Sequence, residues 1–134
     1  MVNKKLGNDF EQELCEILSD AGCWVHNFAN RKNGQPADII AVKNNRSFLI
    51  DAKVCSKDIF QFKRIEDNQQ LAMEMWIECG NLSPYFALKA RNEVYMVPYE
   101  TIKGLIRKGK KQLNIEDMNK YGTRLSYWIR TVVK

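Results

Sequence analysis

Residues 36–53 read PADIIAVKNNRSFLIDAK, and this stretch decides the fold. Two apolar runs of strand character lie here, at residues 37–42 and 47–54, and the second ends at Val54, one residue beyond the quoted stretch. Between them lie Asn44 and Asn45, a pair that tolerates the positive φ angles of a tight turn. The pattern therefore predicts two antiparallel strands joined as a hairpin.

Three charged side chains interrupt these apolar runs, although a buried charge is costly unless it is paired or used. Because side chains alternate along a strand, Asp51 and Lys53 should share one face, about 7 Å apart. Asp38 would converge on the same place if the two strands pair. Converging carboxylates repel each other, and a divalent cation is the usual relief. Since the ligands would be oxygen atoms, the pattern favours Mg²⁺ or Mn²⁺ over zinc.

A lysine beside such a metal site indicates phosphodiester hydrolysis. A divalent cation can lower the pKa of a water molecule and neutralise charge on a phosphate. Lys53 would orient or deprotonate the attacking water, or stabilise the developing charge on the phosphate. The alternative interpretation is that Asp51 and Lys53 form an exposed cross-strand charge cluster on an edge strand.

Length and composition fit one small domain. With 134 residues and 45% hydrophobic content, the chain can build a core, and residues 1–134 are expected to form a single nuclease domain. We expect a cytoplasmic location, because neither a membrane span nor a signal peptide is recognisable. The net charge of +5 favours a polyanionic partner such as nucleic acid. The four cysteines are expected to be free buried thiols rather than zinc ligands.

Hydrophobic periodicity along the whole chain predicts a mixed α/β fold. The elements follow the order α, β, β, β, α, β, β and then a tail, which indicates a mixed sheet flanked by helices. The tail is expected to add one or two strands. The predicted helices cover residues 8–21, 65–79 and 101–108, and the predicted strands cover residues 23–29, 37–42, 47–54, 84–90 and 93–98.

The charged residues of the hairpin carry a family resemblance. The segment PAD at residues 36–38, followed by DAK at residues 51–53, resembles the PD-(D/E)XK signature of the restriction-endonuclease-like nucleases. Aspartate replaces the commoner glutamate at the second acidic position. The resemblance implies an αβββαβ core with the signature on its second and third strands, and this agrees with the predicted order of elements.

Within that superfamily the chain is most similar to Holliday junction resolvases, of the RecU type and of the small archaeal type. GNDFEQEL at residues 7–14 resembles the resolvase helix whose glutamate completes the metal site. Helix geometry alone leaves both Glu11 and Glu13 as candidates, and the resemblance selects Glu11.

Two later segments strengthen the resemblance to RecU proteins. In FQFKRIEDNQQLAMEMWIECG, residues 60–80, Gln69 matches a glutamine of the segment after the RecU signature. Asn68 stands where a histidine is usual. EVYMVPYETI, residues 93–102, resembles the strand and proline-led helix that follow.

The resemblance implies a metal-dependent, structure-selective endodeoxyribonuclease that cuts four-way DNA junctions as a twofold homodimer. Asp38, Asp51 and Glu11 would bind Mg²⁺ or Mn²⁺, Lys53 would serve the attacking water, and Gln69 would orient that water or the phosphate. For Gln69, a structural amide that caps a strand is the alternative. For the whole protein, the alternatives are another nuclease on this fold, a non-catalytic DNA-binding module, and a protein-interaction domain.

Basic residues in two loops are candidate contacts to DNA phosphates. Arg31 and Lys32 precede the Asp38 strand, and Lys110 and Lys111 belong to the run RKGKK at residues 107–111. A solvated loop explains the first pair almost as well. The second run could instead complement the dipole at a helix C-terminus.

Overall fold

A computed structural model describes residues 2–28 and 37–134, with side chains from residue 6 onward. Its helices are α1 (Val2–Asp20), α2 (Asp67–Glu78), α3 (Tyr99–Arg107), α4 (Ile115–Tyr121) and α5 (Leu125–Trp128), which continues as a π-helical turn (Ile129–Val133). The strands are β1 (Trp24–Asn27), β2 (Ile39–Lys43), β3 (Arg46–Val54), β4 (Phe60–Gln61), β5 (Tyr85–Ala90), β6 (Glu93–Pro98), β7 (Gln112–Leu113) and β8 (Thr123–Arg124). A 3-10 turn (Phe62–Arg64) lies between β4 and α2.

The main sheet is mixed, as predicted. Its strands lie in the order β1-β2-β3-β5-β6-β8, and β3 and β5 run parallel while the other neighbours are antiparallel. The parallel pair needs a crossover, and α2 lies in it. The predicted order α, β, β, β, α, β, β is confirmed, except that the two-residue strand β4 was not foreseen. It pairs with β7 in a separate two-stranded ribbon.

Helices cover both faces of this sheet, so that a hydrophobic core lies on each side of it. The side chains of β3 alternate between these two cores. Phe48 and Ile50 pack with Phe10 of α1 and Trp128 of α5, while Leu49 packs in the other core with residues of α2, α3 and α4. Asp51 and Lys53 therefore follow Leu49 onto the α2 side, which confirms the predicted alternation.

The turn residues behave as their chemistry predicts. Asn44 and Asn45 have φ angles of 51° and 64°, so the hairpin between β2 and β3 closes through two left-handed residues. Arg91 and Asn92 do the same between β5 and β6, with φ angles of 51° and 61°. These short connections fix the register of the strands that carry the charged residues.

The starts of three helices differ from the prediction, and the smallest such differences are two residues, as at α3, which begins at Tyr99 and not at residue 101. The first helix begins at Val2, so Asn8 is an interior residue and not its N-cap. An interior asparagine costs a helix well under about 1 kcal/mol, and this is too little to end it. The helix α2 begins at Asp67 and not at residue 65, because Ile65 and Glu66 are extended and Glu66 is the N-cap.

The C-terminal tail adds two short strands, β7 and β8, as predicted, but most of its length is helical. Only Thr123 and Arg124 pair with β6, and the chain from Leu125 to Val133 is helical. The aromatic and β-branched residues of this segment favour a strand by propensity. Burial of Leu125, Trp128 and Val133 on one side of the helical segment overrides that preference.

Among the helices of the described residues, none is long and apolar enough to cross a membrane.

Candidate active site

The hairpin brings Asp38 and Asp51 together. Asp38 immediately precedes β2, and its backbone N–H donates a hydrogen bond to the carbonyl of Ile50 (3.1 Å). Its carboxylate Oδ2 accepts a hydrogen bond from the backbone N–H of Ala52 (2.8 Å). Asp51 lies on β3 between Ile50 and Ala52, the two residues that bond to Asp38, and its side chain is only 1% exposed. The two carboxyl groups consequently lie side by side at the end of the hairpin remote from its turn.

Asp51 has a different partner on each oxygen. Gln69 Nε2 donates a hydrogen bond to Oδ1 (3.0 Å), and Lys53 Nζ lies 3.1 Å from Oδ2. The contact with Lys53 is an ion pair without hydrogen-bond geometry, so Oδ2 is a buried acceptor that receives no hydrogen bond from the described residues. Such an atom is normally satisfied by a ligand, an ion or a water molecule.

Burial makes these carboxyl groups hard to ionise. It raises the pKa of Asp51, which the negative charge of Asp38 raises further and Lys53 partly lowers. Burial also raises the pKa of Asp38, although the N–H of Ala52 opposes that effect. Two adjacent carboxylates of raised pKa are typical of sites that bind a cation or share a proton.

Glu11 lies at the same site, and Glu13 does not. Glu11 lines the cavity that contains both aspartates, and burial, followed by the charge of Asp38, raises its pKa to about 7. Glu13 instead forms an ion pair with Lys89 (3.5 Å). The structure thus separates the two glutamates that helix geometry left open.

Gln69 is buried, as its place on the predicted helix face indicated. Its Oε1 accepts the backbone N–H of Glu66 (3.2 Å) at the start of α2, while its Nε2 reaches Asp51. The amide therefore caps a helix, not a strand, and holds a site carboxylate with its other end. The strand-capping alternative is therefore wrong, and a role of Gln69 in orienting water or phosphate stays a prediction.

A cavity of about 510 Å³ opens over these groups. Two basic residues that the sequence analysis did not single out, Lys57 and Arg64, also line it. Arg64 follows two phenylalanines in a segment without regular periodicity, so nothing in its pattern marked it. The site residues among those that line the cavity are Glu11, Asp38, Asp51, Lys53 and Gln69.

The predicted phosphate-binding residues divide into two groups. Arg31 and Lys32 lie outside the described residues, as does Pro36 of the signature. Lys110 and Lys111 line a second cavity of about 600 Å³, next to the first, and Lys110 also forms an ion pair with Asp117 (3.3 Å).

Phe60 and Phe62, which precede Arg64, are buried in the core. Cys79 is exposed, contrary to the expectation that all four cysteines are buried. Cys15 is partly buried, and Cys23 and Cys55 are buried.

The donor set suits a hard divalent cation. Mg²⁺ is commonly held by one or two carboxylates together with water and substrate phosphate. Asp38 and Asp51 supply two adjacent carboxylates, and Oδ2 of Asp51 has no competing hydrogen bond. Within residues 2–28 and 37–134, no three His, Cys, Asp or Glu side chains already converge on one point. The pair is thus the preformed part of the candidate metal site, with Glu11 beside it.

Comparison with known proteins identifies the family. The model of a family described as "RecU: Recombination protein U" matches residues 26–134. The chain belongs to the RecU family. RecU is a family of Holliday junction resolvases, so its match agrees with the resemblance carried by the hairpin and by α2. No curated protein matches the chain.

A solved structure supports the fold of this RecU-family chain independently. It is that of Hjc, described as a Holliday junction resolvase from the archaeal hyperthermophile Archaeoglobus fulgidus. The two chains are 17% identical, with a TM-score of 0.68 over 92% of this chain and 95% of Hjc. The likeness establishes that the two proteins share a fold.

Proposed function

We propose that this chain is a metal-dependent, structure-selective endodeoxyribonuclease that resolves four-way DNA junctions. One observation carries the proposal: Asp38 and Asp51 are paired in a cavity, with Lys53 Nζ 3.1 Å from Asp51 Oδ2. Membership of the RecU family supports the choice of DNA junctions as substrate.

In this proposal, Asp38, Asp51 and Glu11 hold Mg²⁺ or Mn²⁺, which when bound supplies acidity to a water molecule and charge neutralisation to the phosphate. The protein supplies the arrangement of the ligands. The rigid hairpin sets the distance between the two aspartates, and the hydrogen bonds from Ala52 and Gln69 fix their carboxylate planes. Asp51 Oδ2, which is ion-paired with Lys53 but accepts no hydrogen bond from the described residues, is the oxygen available to the cation.

Lys53 is placed to act on water and phosphate. Its amine contacts the Asp51 carboxylate and lies 3.5 Å from the carbonyl of Arg64, so it is held between β3 and the 3-10 turn. A lysine ammonium has three donors, and those not used by these two contacts can orient the attacking water or bind a phosphate oxygen. Gln69 acts through Asp51 as a positioning residue, because both ends of its amide already contact the protein.

The DNA partner implies an assembly. Cutting two opposing strands of a four-way junction requires two active sites, and a twofold homodimer supplies them. Basic side chains around the catalytic cavity and the second cavity, the latter lined by Lys110 and Lys111, would provide the salt-dependent part of the affinity for DNA.

A second candidate is a DNA-binding module that has kept the fold without turnover. It is favoured by the lack of a preformed three-ligand cluster in the described part of the chain and by the short side chain of Asp51. Another nuclease of this fold, acting on duplex or flap DNA, is the nearest enzymatic alternative.

A substrate panel separates these functions. The chain and its Asp38→Asn variant are incubated with a four-way junction, a linear duplex and a flap, each with Mg²⁺, Mn²⁺ or chelator. The proposal predicts metal-dependent cutting of the junction that the variant lacks. Preferential cutting of duplex or flap would contradict junction selectivity, and binding without cutting under every condition would favour the non-catalytic module.

A further inference from the structure

We propose that Arg64 binds a phosphate of the DNA strand at the catalytic cavity. From there, the turn Phe62–Arg64 directs the strand into the neighbouring lysine-lined groove. The inference rests on the proposed function, and it adds a phosphate-binding residue and a path for the strand.

The guanidinium of Arg64 is held in place by the protein. Its Nη1 donates a hydrogen bond to the carbonyl of Val54 (3.1 Å), and its Cζ lies 5.9 Å from the centroid of the Phe60 ring. Contact with an aromatic ring restricts the long side chain, so less entropy is lost when a ligand binds. Arg64 is therefore pre-organised at the edge of the cavity.

Most of its hydrogen-bonding capacity is unused. A guanidinium has five N–H donors, and among the described residues it contacts the carbonyl of Val54 and the thiol of Cys55. Arg64 is exposed and forms no ion pair with a carboxylate in the part of the chain that the structure describes. An unpaired, positioned arginine in a cavity suits a planar anion with several oxygen atoms, and phosphate is bound in this way.

The electrostatics of the cavity require such a residue. Glu11, Asp38 and Asp51 line the cavity, and a DNA phosphate that approaches them brings another negative charge. Lys53 is already paired with Asp51, so it offsets that carboxylate first. Arg64 and Lys57 are the other basic residues that line the cavity, and Arg64 lies beside Lys53, because its carbonyl is 3.5 Å from Lys53 Nζ.

The second groove continues from the same turn. Gln61 lines both cavities, and Lys63 lines the second together with Lys110 and Lys111. The ribbon of β4 and β7 holds the two sides together, since the N–H of Phe62 donates to the carbonyl of Lys111 (2.9 Å). Arg64 thus lines the catalytic cavity, and its neighbour Lys63 lines the second groove. This arrangement allows the two residues to contact successive phosphates of one DNA strand.

The test uses the full chain and a labelled four-way junction. Cutting is measured in single turnover at saturating protein with Mg²⁺, and affinity is measured in chelator over a series of salt concentrations. The variants are Arg64→Ala, Arg64→Gln and Arg64→Lys. Arg130→Ala is the matched control, because Arg130 is also exposed and also lies over an aromatic ring, at 5.5 Å from that of Tyr127.

Loss of a charge-assisted contact should slow cutting by Arg64→Ala and Arg64→Gln about 10- to 100-fold. In the same two variants, the slope of the logarithm of the binding constant against the logarithm of the salt concentration should become shallower by roughly one. Arg64→Lys should keep that slope and recover only part of the rate, since lysine lacks the planar fork. Arg130→Ala should match the wild-type chain, and Lys63→Ala should weaken binding of the junction.

Arg64→Gln keeps a neutral amide donor and lacks the positive charge, so its melting temperature and its salt slope together separate a structural effect from the loss of charge. Wild-type cutting and a wild-type salt slope in Arg64→Gln, with its melting temperature unchanged, would overturn the inference. If the wild-type chain binds the junction but never cuts it, the proposed function fails, whereas the salt slope still decides the role of Arg64.

Discussion

Gln69 Nε2 donates a 3.0 Å hydrogen bond to Oδ1 of Asp51, and thereby joins the first turn of α2 to the middle strand of the sheet. Both side chains are buried. The other end of the same amide accepts the N–H of Glu66. One side chain consequently stabilises the start of a helix and fixes the orientation of a candidate metal ligand.

This contact predicts that Gln69→Ala is both less stable and less active. The substitution removes a helix-capping contact and leaves a buried carboxylate oxygen without a donor, so the free energy of unfolding should fall by about 1–3 kcal/mol. Chemical denaturation measures the loss, and Gln70→Ala is the control, one residue further along α2. Equal stability of the two variants would show that the Gln69 amide contributes nothing beyond its position in the helix.

Lys53→Ala should abolish cutting and leave the affinity for DNA nearly unchanged. The affinity comes from many phosphate contacts, whereas the amine of Lys53 is the group placed beside Asp51. Junction cleavage and binding in chelator measure the two effects separately, with Lys89→Ala as a control that removes a lysine from the parallel neighbour β5. A variant that cuts at the wild-type rate would remove Lys53 from the mechanism.

Asp51→Asn should stabilise the metal-free chain at high pH. The pKa values of Asp38 and Asp51 are raised by burial and that of Glu11 reaches about 7, so the folded chain retains protons that the unfolded chain releases. The free energy of unfolding must therefore fall as pH rises from about 4 towards these raised values. Replacing the most buried of the three groups by a neutral amide removes part of that loss.

Thermal unfolding in chelator at pH 5 and pH 8 tests this sign. The gain from Asp51→Asn should be about 1–3 kcal/mol larger at pH 8 than at pH 5. Asp9→Asn, on the exposed face of α1, is the control and should show no such difference. A gain that is larger at pH 5 would contradict the assigned direction of the shifts.

The cysteines should differ widely in reactivity towards a chromogenic thiol reagent at pH 8. Cys79 is exposed, whereas burial raises the pKa of Cys15 and of Cys55 to about 11 in each case and also raises that of Cys23. Since the thiolate is the reactive form, only Cys79 should react quickly in the folded chain. Cys79→Ser should eliminate the fast phase, and fast reaction of a further thiol would show that the core opens.

The sequence predicted the centre of the site because two local rules apply there. Alternation along β3 placed Asp51 and Lys53 on one face, and the Asn44-Asn45 turn set the register that brings Asp38 to them. Glu11 is different, since helix geometry allowed Glu13 as well; the family resemblance selected Glu11, and the tertiary packing of α1 places it at the cavity.

The rest of the molecule was less predictable where no repeating pattern exists. Arg64 lies in a single 3-10 turn, and its place at the cavity depends on long-range contacts with Val54 and Phe60. The C-terminal segment has the composition of a strand, yet it is helical because Trp128 packs against Phe48 and Tyr85. Packing of this kind cannot be read from local propensity.

The most direct test of the central claim is the cleavage pattern on a four-way junction in which each strand is end-labelled in turn. Paired nicks at symmetric positions on two opposing strands, present with Mg²⁺ or Mn²⁺ and absent with chelator, are the predicted result. Such a pattern requires a metal-bound site in each of two subunits. Nicks that persist in chelator, or a junction that is bound but never cut, would contradict the assignment of Asp38 and Asp51 as metal ligands in a resolvase.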